Sequence, residues 1–263
     1  MSETPDYLHG HHDSVLRSHR WRTAENSAAY FTPALQPGWL VLDVGCGPGT
    51  ITADLARFVP DGGVIGLDAS VDVLHEARHA SPTTPLAAAD IYSLPFADAS
   101  VDAVHLHMVL QHVPNPVAAL RAVARIVRQG GVIAARDSDY RAMRWAPASA
   151  LLDRWLELYE ASARISGGEP DAGRHLAGWA SEAGLGSVTS SSSTWVYESP
   201  EERAWWGSLW AERIVSSRFA EVVTSNGLAT MDELEQIAEG WRAFADGDEG
   251  RFEVPCSEIL CRL

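Results

Sequence analysis

No lysine occurs in this chain: all 20 of its basic residues are arginine. That excludes chemistry built on an ε-amine, from Schiff bases with carbonyl compounds to a Walker-type phosphate lysine. Cysteine is scarce too. Cys46, Cys256 and Cys261 are odd in number, scattered and without zinc or disulfide spacing, the usage of an intracellular protein. No apolar run approaches the roughly 20 residues that span a bilayer. The polar, histidine-bearing start (Met1 to Leu16) has no apolar core of a secretory signal. A cytoplasmic protein with no membrane contact is expected. Positive charge is also short, with 35 acidic residues against 20 basic, a net charge of -15 and a pI near 5.0. Nucleic acid, which needs a positive face, is not an expected partner.

What is present is an alternation of strand and helix patterns over 263 residues, enough for one large domain with an insertion. Apolar runs at Trp39–Val44, Gly63–Asp68, Pro85–Ala89, Val101–His107 and Val132–Asp137 read as strands. Helical stripes at Thr50–Phe58, Val71–His79 and Pro116–Val127 lie between them, and a further helix is expected over Ser27–Leu35, stopped by Pro37. Strand, helix, strand at this spacing predicts parallel strands in a doubly wound α/β sheet. Beyond it, Ala148–Ile165 and Arg174–Ala183 read as helices and Val188–Tyr197 as a strand. Residues 199–250 read as a helical insertion rich in tryptophan (Trp205, Trp206, Trp210, Trp241), and Phe252–Leu263 as a last strand.

The segment that points to chemistry is Val41–Thr50, where an apolar strand runs into Gly45, Gly47 and Gly49 before a helix. Glycines are needed where backbone turns sharply and a ligand approaches closely, and strand ends of open α/β sheets are where ligands bind. A dinucleotide site is the first competitor. Its fingerprint ends in Gly or Ala where this chain has Thr50. Asp43 stands two residues before the first glycine, Asp68 closes the second strand and Asp90 follows the third. Carboxylates gathered at one crevice repel a pyrophosphate and suit a phosphate-free nucleoside with an ammonium and a sulfonium, S-adenosylmethionine. On this reading Asp68 accepts from the ribose hydroxyls beside Ala69. Asp90 accepts from the adenine amine, the Ile91 N–H meets a ring nitrogen, and Asp43 orients the loop and the amino-acid end.

In these motifs the chain resembles class I S-adenosylmethionine-dependent methyltransferases, of the group related to ubiquinone and menaquinone biosynthesis. The likeness runs from Leu40 to Asp137 and includes Leu42–Gly49, Val64–Ser70, Ala89–Phe96, Val101–Val104, Val109–His112 and Val127–Gly131. It implies a Rossmann-like sheet of seven strands, the last antiparallel, with the helical insertion between the last two. It implies also a core of residues 37–198 and 251–263, an insertion that shapes an acceptor pocket, and residues 1–36 as a helical lid, in which His19, Arg22 and Tyr30 are candidate contacts to the methionine end. The acceptor it implies is a small molecule, a ring carbon or oxygen of an aromatic or quinol-like natural product.

Candidate acceptor-side residues are His107, at the end of the fourth strand and also beside the cofactor, His112 in the turn that follows, and Asp139 and Tyr140 past the fifth strand. Their bland readings are a core histidine, a loop residue and an Asx-turn. His107, His112 or Asp139 would serve as a base if the acceptor starts protonated. The cluster His9, His11, His12 and His19 reads as a solvated segment, and no metal is expected. Two rivals stay open: a nicotinamide-dependent oxidoreductase on the same sheet, and a cofactor-binding scaffold without catalysis.

Overall fold

The computed structural model describes residues 13–80 and 82–263. Helices α1 (Asp13–Arg20) and α2 (Ala24–Ser27) lead into β1 (Leu40–Val44), α3 (Thr50–Leu55), β2 (Gly63–Asp68), α4 (Val71–Ala80) and β3 (Leu86–Ala88). Then come β4 (Val101–His107), α5 (Pro116–Ile126), β5 (Val127–Ser138), β6 (Arg144–Ala146), α6 (Ala150–Ile165) and α7 (Ala172–Ala183). The chain ends with β7 (Ser187–Tyr197), α8 (Pro200–Ser216), α9 (Arg218–Ser225), α10 (Met231–Asp246) and β8 (Arg251–Arg262).

One sheet runs in the order β3-β2-β1-β4-β5-β8-β6, with β7 also paired to β8. Strands β1 to β5 are mutually parallel, and β8 is antiparallel to each of its neighbours. The order reverses between β1 and β4, so the carboxyl ends of those strands open a crevice for a ligand. Both central strands are buried almost throughout, as strands covered on two faces must be.

The Rossmann-like α/β class, the antiparallel last strand and the helices between the last two long strands agree with expectation. Three details differ. The sheet has eight strands, because three-residue β6 pairs with Arg251–Glu253 of β8. β5 begins at Val127 rather than Val132: Val127 pairs with Val101, and the register then shifts. The helix expected over Ser27–Leu35 is instead α2 followed by a 3-10 turn at Thr32–Ala34. Pro33 has no N–H to give, and its ring would strike the carbonyl four residues back, so a continuous helix cannot form there.

Two apolar clusters sandwich the parallel strands, one containing Leu42, Val104, Leu120 and Ile133, the other Phe31, Val41, Leu55 and Val64. A third, aromatic core joins α6, α8, α9 and α10 to β8, with Trp155 and Trp241 packed on Phe252 and Trp210 on both of them. The helical unit thus includes α6 as well as residues 199–250. Among the described residues no helix is long and apolar enough to cross a membrane.

Candidate active site

The glycine loop after β1 is built as its sequence requires. Gly45, Gly47 and Gly49 all have left-handed backbones, with φ of +73°, +54° and +77°. At Gly45 a Cβ would lie 2.3 Å from Val109 Cγ2, so even alanine has no room. The Gly45 and Cys46 N–H groups both donate to Leu67 O, tying the loop to the end of β2.

Asp43, expected to orient the loop and the amino-acid end, lines the larger cavity while both of its carboxylate oxygens accept hydrogen bonds within the protein. Its Oδ1 accepts from His105 Nδ1 at 2.8 Å and its Oδ2 from Thr52 Oγ1 at 2.6 Å, all three side chains being buried. The neighbouring β4 places His105 directly opposite Asp43, so the sheet register makes this pair. Through Thr52 the pair holds the first turn of α3, and with it the exit of the loop.

A cavity of about 460 Å³ lies over the loop. Its lining includes Asp68, Ala69, Asp90 and Ile91, the loop residues Gly45 and Gly47, and His19 and Arg22. Asp68 Oδ2 accepts from Gly47 N and Oδ1 from Ser70 N, both at 2.9 Å. Each carboxylate oxygen has a second lone pair, so a diol can still be accepted. Asp90 Oδ1 accepts from Tyr92 N at 2.9 Å, which turns the chain so that Ile91 faces the cavity. Carboxylates and a guanidinium on one cavity suit S-adenosylmethionine, which carries both a ribose diol and a carboxylate. Tyr30, expected among these contacts, lines neither cavity. It lies 6.4 Å from His105, ring to ring, with its hydroxyl buried. His9, His11 and His12 fall outside the described residues.

A second, narrower cavity of about 60 Å³ adjoins the first, and His19, Arg22, Met108 and His112 line both. Met108 has φ of +56°, a strained backbone for a residue with a side chain, at the turn between the two spaces. Helix α1 lies across this junction. Its Arg17 pairs with Glu212 and its Arg20 with Glu76 at 3.0 Å, so it bridges α8 and α4. The walls of the second cavity are Trp21, Trp195, Tyr197, Trp206 and Trp210, with Tyr140 and Tyr159 stacked at 4.3 Å and joined hydroxyl to hydroxyl at 2.8 Å.

Of the expected acceptor-side residues, His107, His112 and Tyr140 line these cavities, and Asp139 lines neither. Asp139 instead accepts from Arg174 Nε and Nη2 at 2.9 and 2.7 Å, a two-pronged pair that holds α7. That arrangement removes it as a base. Burial, with Arg22 and Arg136 nearby, pushes His107 well below its usual pKa. Burial and Arg22 push His112 down to about 3. Enclosure thus favours the neutral form of both rings.

Sequence reasoning missed the residues that hold His112. Gln111 Nε2 donates to His112 Nε2 at 2.9 Å, and Gln111 Oε1 accepts from Ser138 Oγ at 2.9 Å. Asp137, at the end of the run expected as the fifth strand, accepts from Gln111 N at 3.2 Å. Tyr159 and Arg213 were equally invisible, because a tyrosine or arginine on a helix far along the chain carries no local mark of a cavity.

Comparison with known proteins agrees with this geometry. Residues 42–135 match the model of a methyltransferase domain family. An uncharacterised methyltransferase of Schizosaccharomyces pombe is 31% identical over 276 residues, covering 99% of this chain and 98% of that one. The demethylmenaquinone methyltransferase of Beutenbergia cavernae is 34% identical over 139 residues, covering 53% and 55% of the two chains. Among solved structures, a putative methyltransferase of an antibiotic biosynthesis pathway from Anabaena variabilis superposes with a TM-score of 0.59 at 17% identity, over 95% of this chain and 96% of that one. With full-length similarity, the motif segment matched and the glycine loop, acid-lined cavity and adjoining aromatic cavity in place, this chain belongs to the class I S-adenosylmethionine-dependent methyltransferases.

Proposed function

We propose that the chain moves the methyl group of S-adenosylmethionine to a small planar acceptor, on a ring carbon or oxygen of an aromatic or quinol-like compound. The observation that carries this reading is the junction of the two cavities at Met108 and His112. A cofactor in the larger space and an acceptor in the smaller would meet there. Asp68 and Asp90 would take the ribose and adenine, with Ala69 and the Ile91 N–H beside them. Gly45, Gly47 and Gly49 let the backbone lie close, and His19 and Arg22 face the amino-acid end. Helix α1, which lies across the junction, would serve as part of a lid.

Bound S-adenosylmethionine supplies an electrophilic methyl carbon. The protein then contributes mainly geometry, holding nucleophile and carbon at about 3–3.5 Å in line and keeping water out. Tryptophan and tyrosine faces suit that task. They stack on a flat acceptor, and their π faces favour a nearby cation. One water needs about 10–15 Å³ on the same measure, so the 60 Å³ of the second cavity favours a small acceptor. Calorimetry and methyl transfer test the reading. S-adenosylhomocysteine is expected to bind and raise the melting temperature, NAD(H) to do neither, and label from S-adenosylmethionine to enter small aromatics. Absence of S-adenosylhomocysteine binding by folded protein would overturn it.

A further inference from the structure

The polar lining of the smaller cavity is one-sided. Ser18, Gln111, Ser138, Tyr140 and Tyr159 bring hydroxyls and an amide, and no aspartate or glutamate lines it among the described residues. Arg22 lies over the Trp195 ring at 5.5 Å and Arg213 over the Trp210 ring at 4.5 Å, so two guanidinium groups back the aromatic wall. Arg213 is itself engaged, donating to Ser18 Oγ at 2.8 Å. These cations act as a standing field on the cavity rather than as loose partners.

The groups that the sequence offers as bases at this junction, and Asp137 beneath it, are engaged elsewhere. The His112 Nε2 lone pair is already used by the Gln111 amide, whose orientation is set by Ser138 donating to its oxygen. A proton on His107 would create a second cation beside Arg136, its partner across the β4–β5 ladder. Asp139 is held by Arg174 outside the cavities, and Asp137 is turned beneath the 110–112 turn onto Gln111 N. Tyr140 donates to Tyr159. An acceptor that must lose a proton finds none of these groups turned toward it.

We propose that the acceptor is a small oxygen acid, carboxylic or vinylogous, already ionised at neutral pH and methylated on its anionic oxygen without a protein base. This rests on the methyl-transfer reading above. A lone pair of the acid oxygen forms the new O–CH3 bond as the S–CH3 bond breaks, and that bonding pair stays on sulfur. One negative and one positive charge cancel, giving a neutral methyl ester and a thioether, and no proton is released. In a cavity walled by aromatic rings opposite charges attract more strongly than in bulk water, so charge cancellation favours the transition state over separated ions. Arg22 and Arg213 keep the acid ionised until it reacts.

The test uses the whole protein loaded with S-adenosylhomocysteine and matched single-ring probes: benzoate and cyclohexane-1,3-dione against benzamide and phenol. At least one of the two acids is expected to bind about tenfold or more tightly than both neutral probes. Gln111→Glu, which adds an acid to the wall, is expected to abolish that preference while S-adenosylhomocysteine still binds. With labelled S-adenosylmethionine the acid is expected to yield an O-methyl product, at a rate flat from about pH 6 to 9. Equal or tighter binding of benzamide or phenol, binding of neither acid, or a preference unchanged in Gln111→Glu would each overturn the inference. Loss of S-adenosylhomocysteine binding by the unmodified protein would instead overturn the underlying methyl-transfer reading.

Discussion

His105 Nδ1 donates to the Asp43 carboxylate at 2.8 Å beneath the glycine loop, joining residues that are 62 positions apart in sequence. The pair is fully enclosed, with side-chain exposures of 0% for His105 and 3% for Asp43. Asp43 passes the constraint on to Thr52 and so to the start of α3. The acid nearest the glycines thus shapes the site from below.

Breaking this pair is expected to weaken both fold and cofactor binding. In His105→Phe the buried carboxylate keeps only the Thr52 hydroxyl, and a lost hydrogen bond to a charged group costs about 1.5–3 kcal/mol. Chemical denaturation should show a loss of that order, and calorimetry a weaker S-adenosylhomocysteine affinity in the fraction that stays folded. An unchanged unfolding curve would contradict the linkage.

Asp68→Ala is expected to separate binding from folding. Two backbone N–H groups, of Gly47 and Ser70, lose their acceptor, at a stability cost of about 1–3 kcal/mol. The larger effect should be on S-adenosylhomocysteine, whose dissociation constant is expected to rise by about tenfold or more. Unchanged titration curves would contradict the placement of the ribose.

Gly45→Ala should fail for two reasons that act together. The backbone is at φ of +73°, and the added carbon would meet Val109 Cγ2 at 2.3 Å. The left-handed backbone alone costs about 1–2 kcal/mol. A second change, Val109→Ala, removes the clash and leaves the backbone strain. The double variant should therefore recover part, and not all, of the lost melting temperature.

Acid and base should destabilise the fold through different residues. Burial pushes Asp137 up to about 7, against about 3.9 in an unfolded chain. The folded state then holds a proton that the unfolded state has lost, so this stability is full below about pH 4 and disappears as pH rises to about 7. Asp137→Asn is expected to gain on the unmodified protein over that range, reaching on the order of 2–4 kcal/mol at pH 8. His112, pushed down to about 3, has the opposite sign. Its unfolded form takes a proton below about pH 6.5, so stability is lost as pH falls toward 3, and His112→Gln should flatten that acid limb. Urea unfolding at several pH values checks both, and parallel curves for all three proteins would contradict both assignments.

Much of this was legible in the residues themselves. Apolar runs punctuated by glycine marked β2 and β4 at their observed ends, Gly63–Asp68 and Val101–His107. Three alternate glycines announced a left-handed loop because their requirement is local, a matter of φ and the absence of Cβ. Asp68 and Asp90 were readable for the same reason: each ends or follows its own strand, and chain order alone carries both to one sheet edge.

What folding alone decided was the partner of each polar group. Sequence could place Asp43 near the loop, but the register of β1 against β4 chose His105 for it. Asp139 looked poised on an open edge until α7 brought Arg174 against it. For His107 and His112 it is enclosure, which depends on packing from every direction, that favours the neutral ring. Local spacing sets backbone shape. Hydrogen-bond partners and the dielectric around a side chain are set by residues far away in the chain, and those only the tertiary structure assembles.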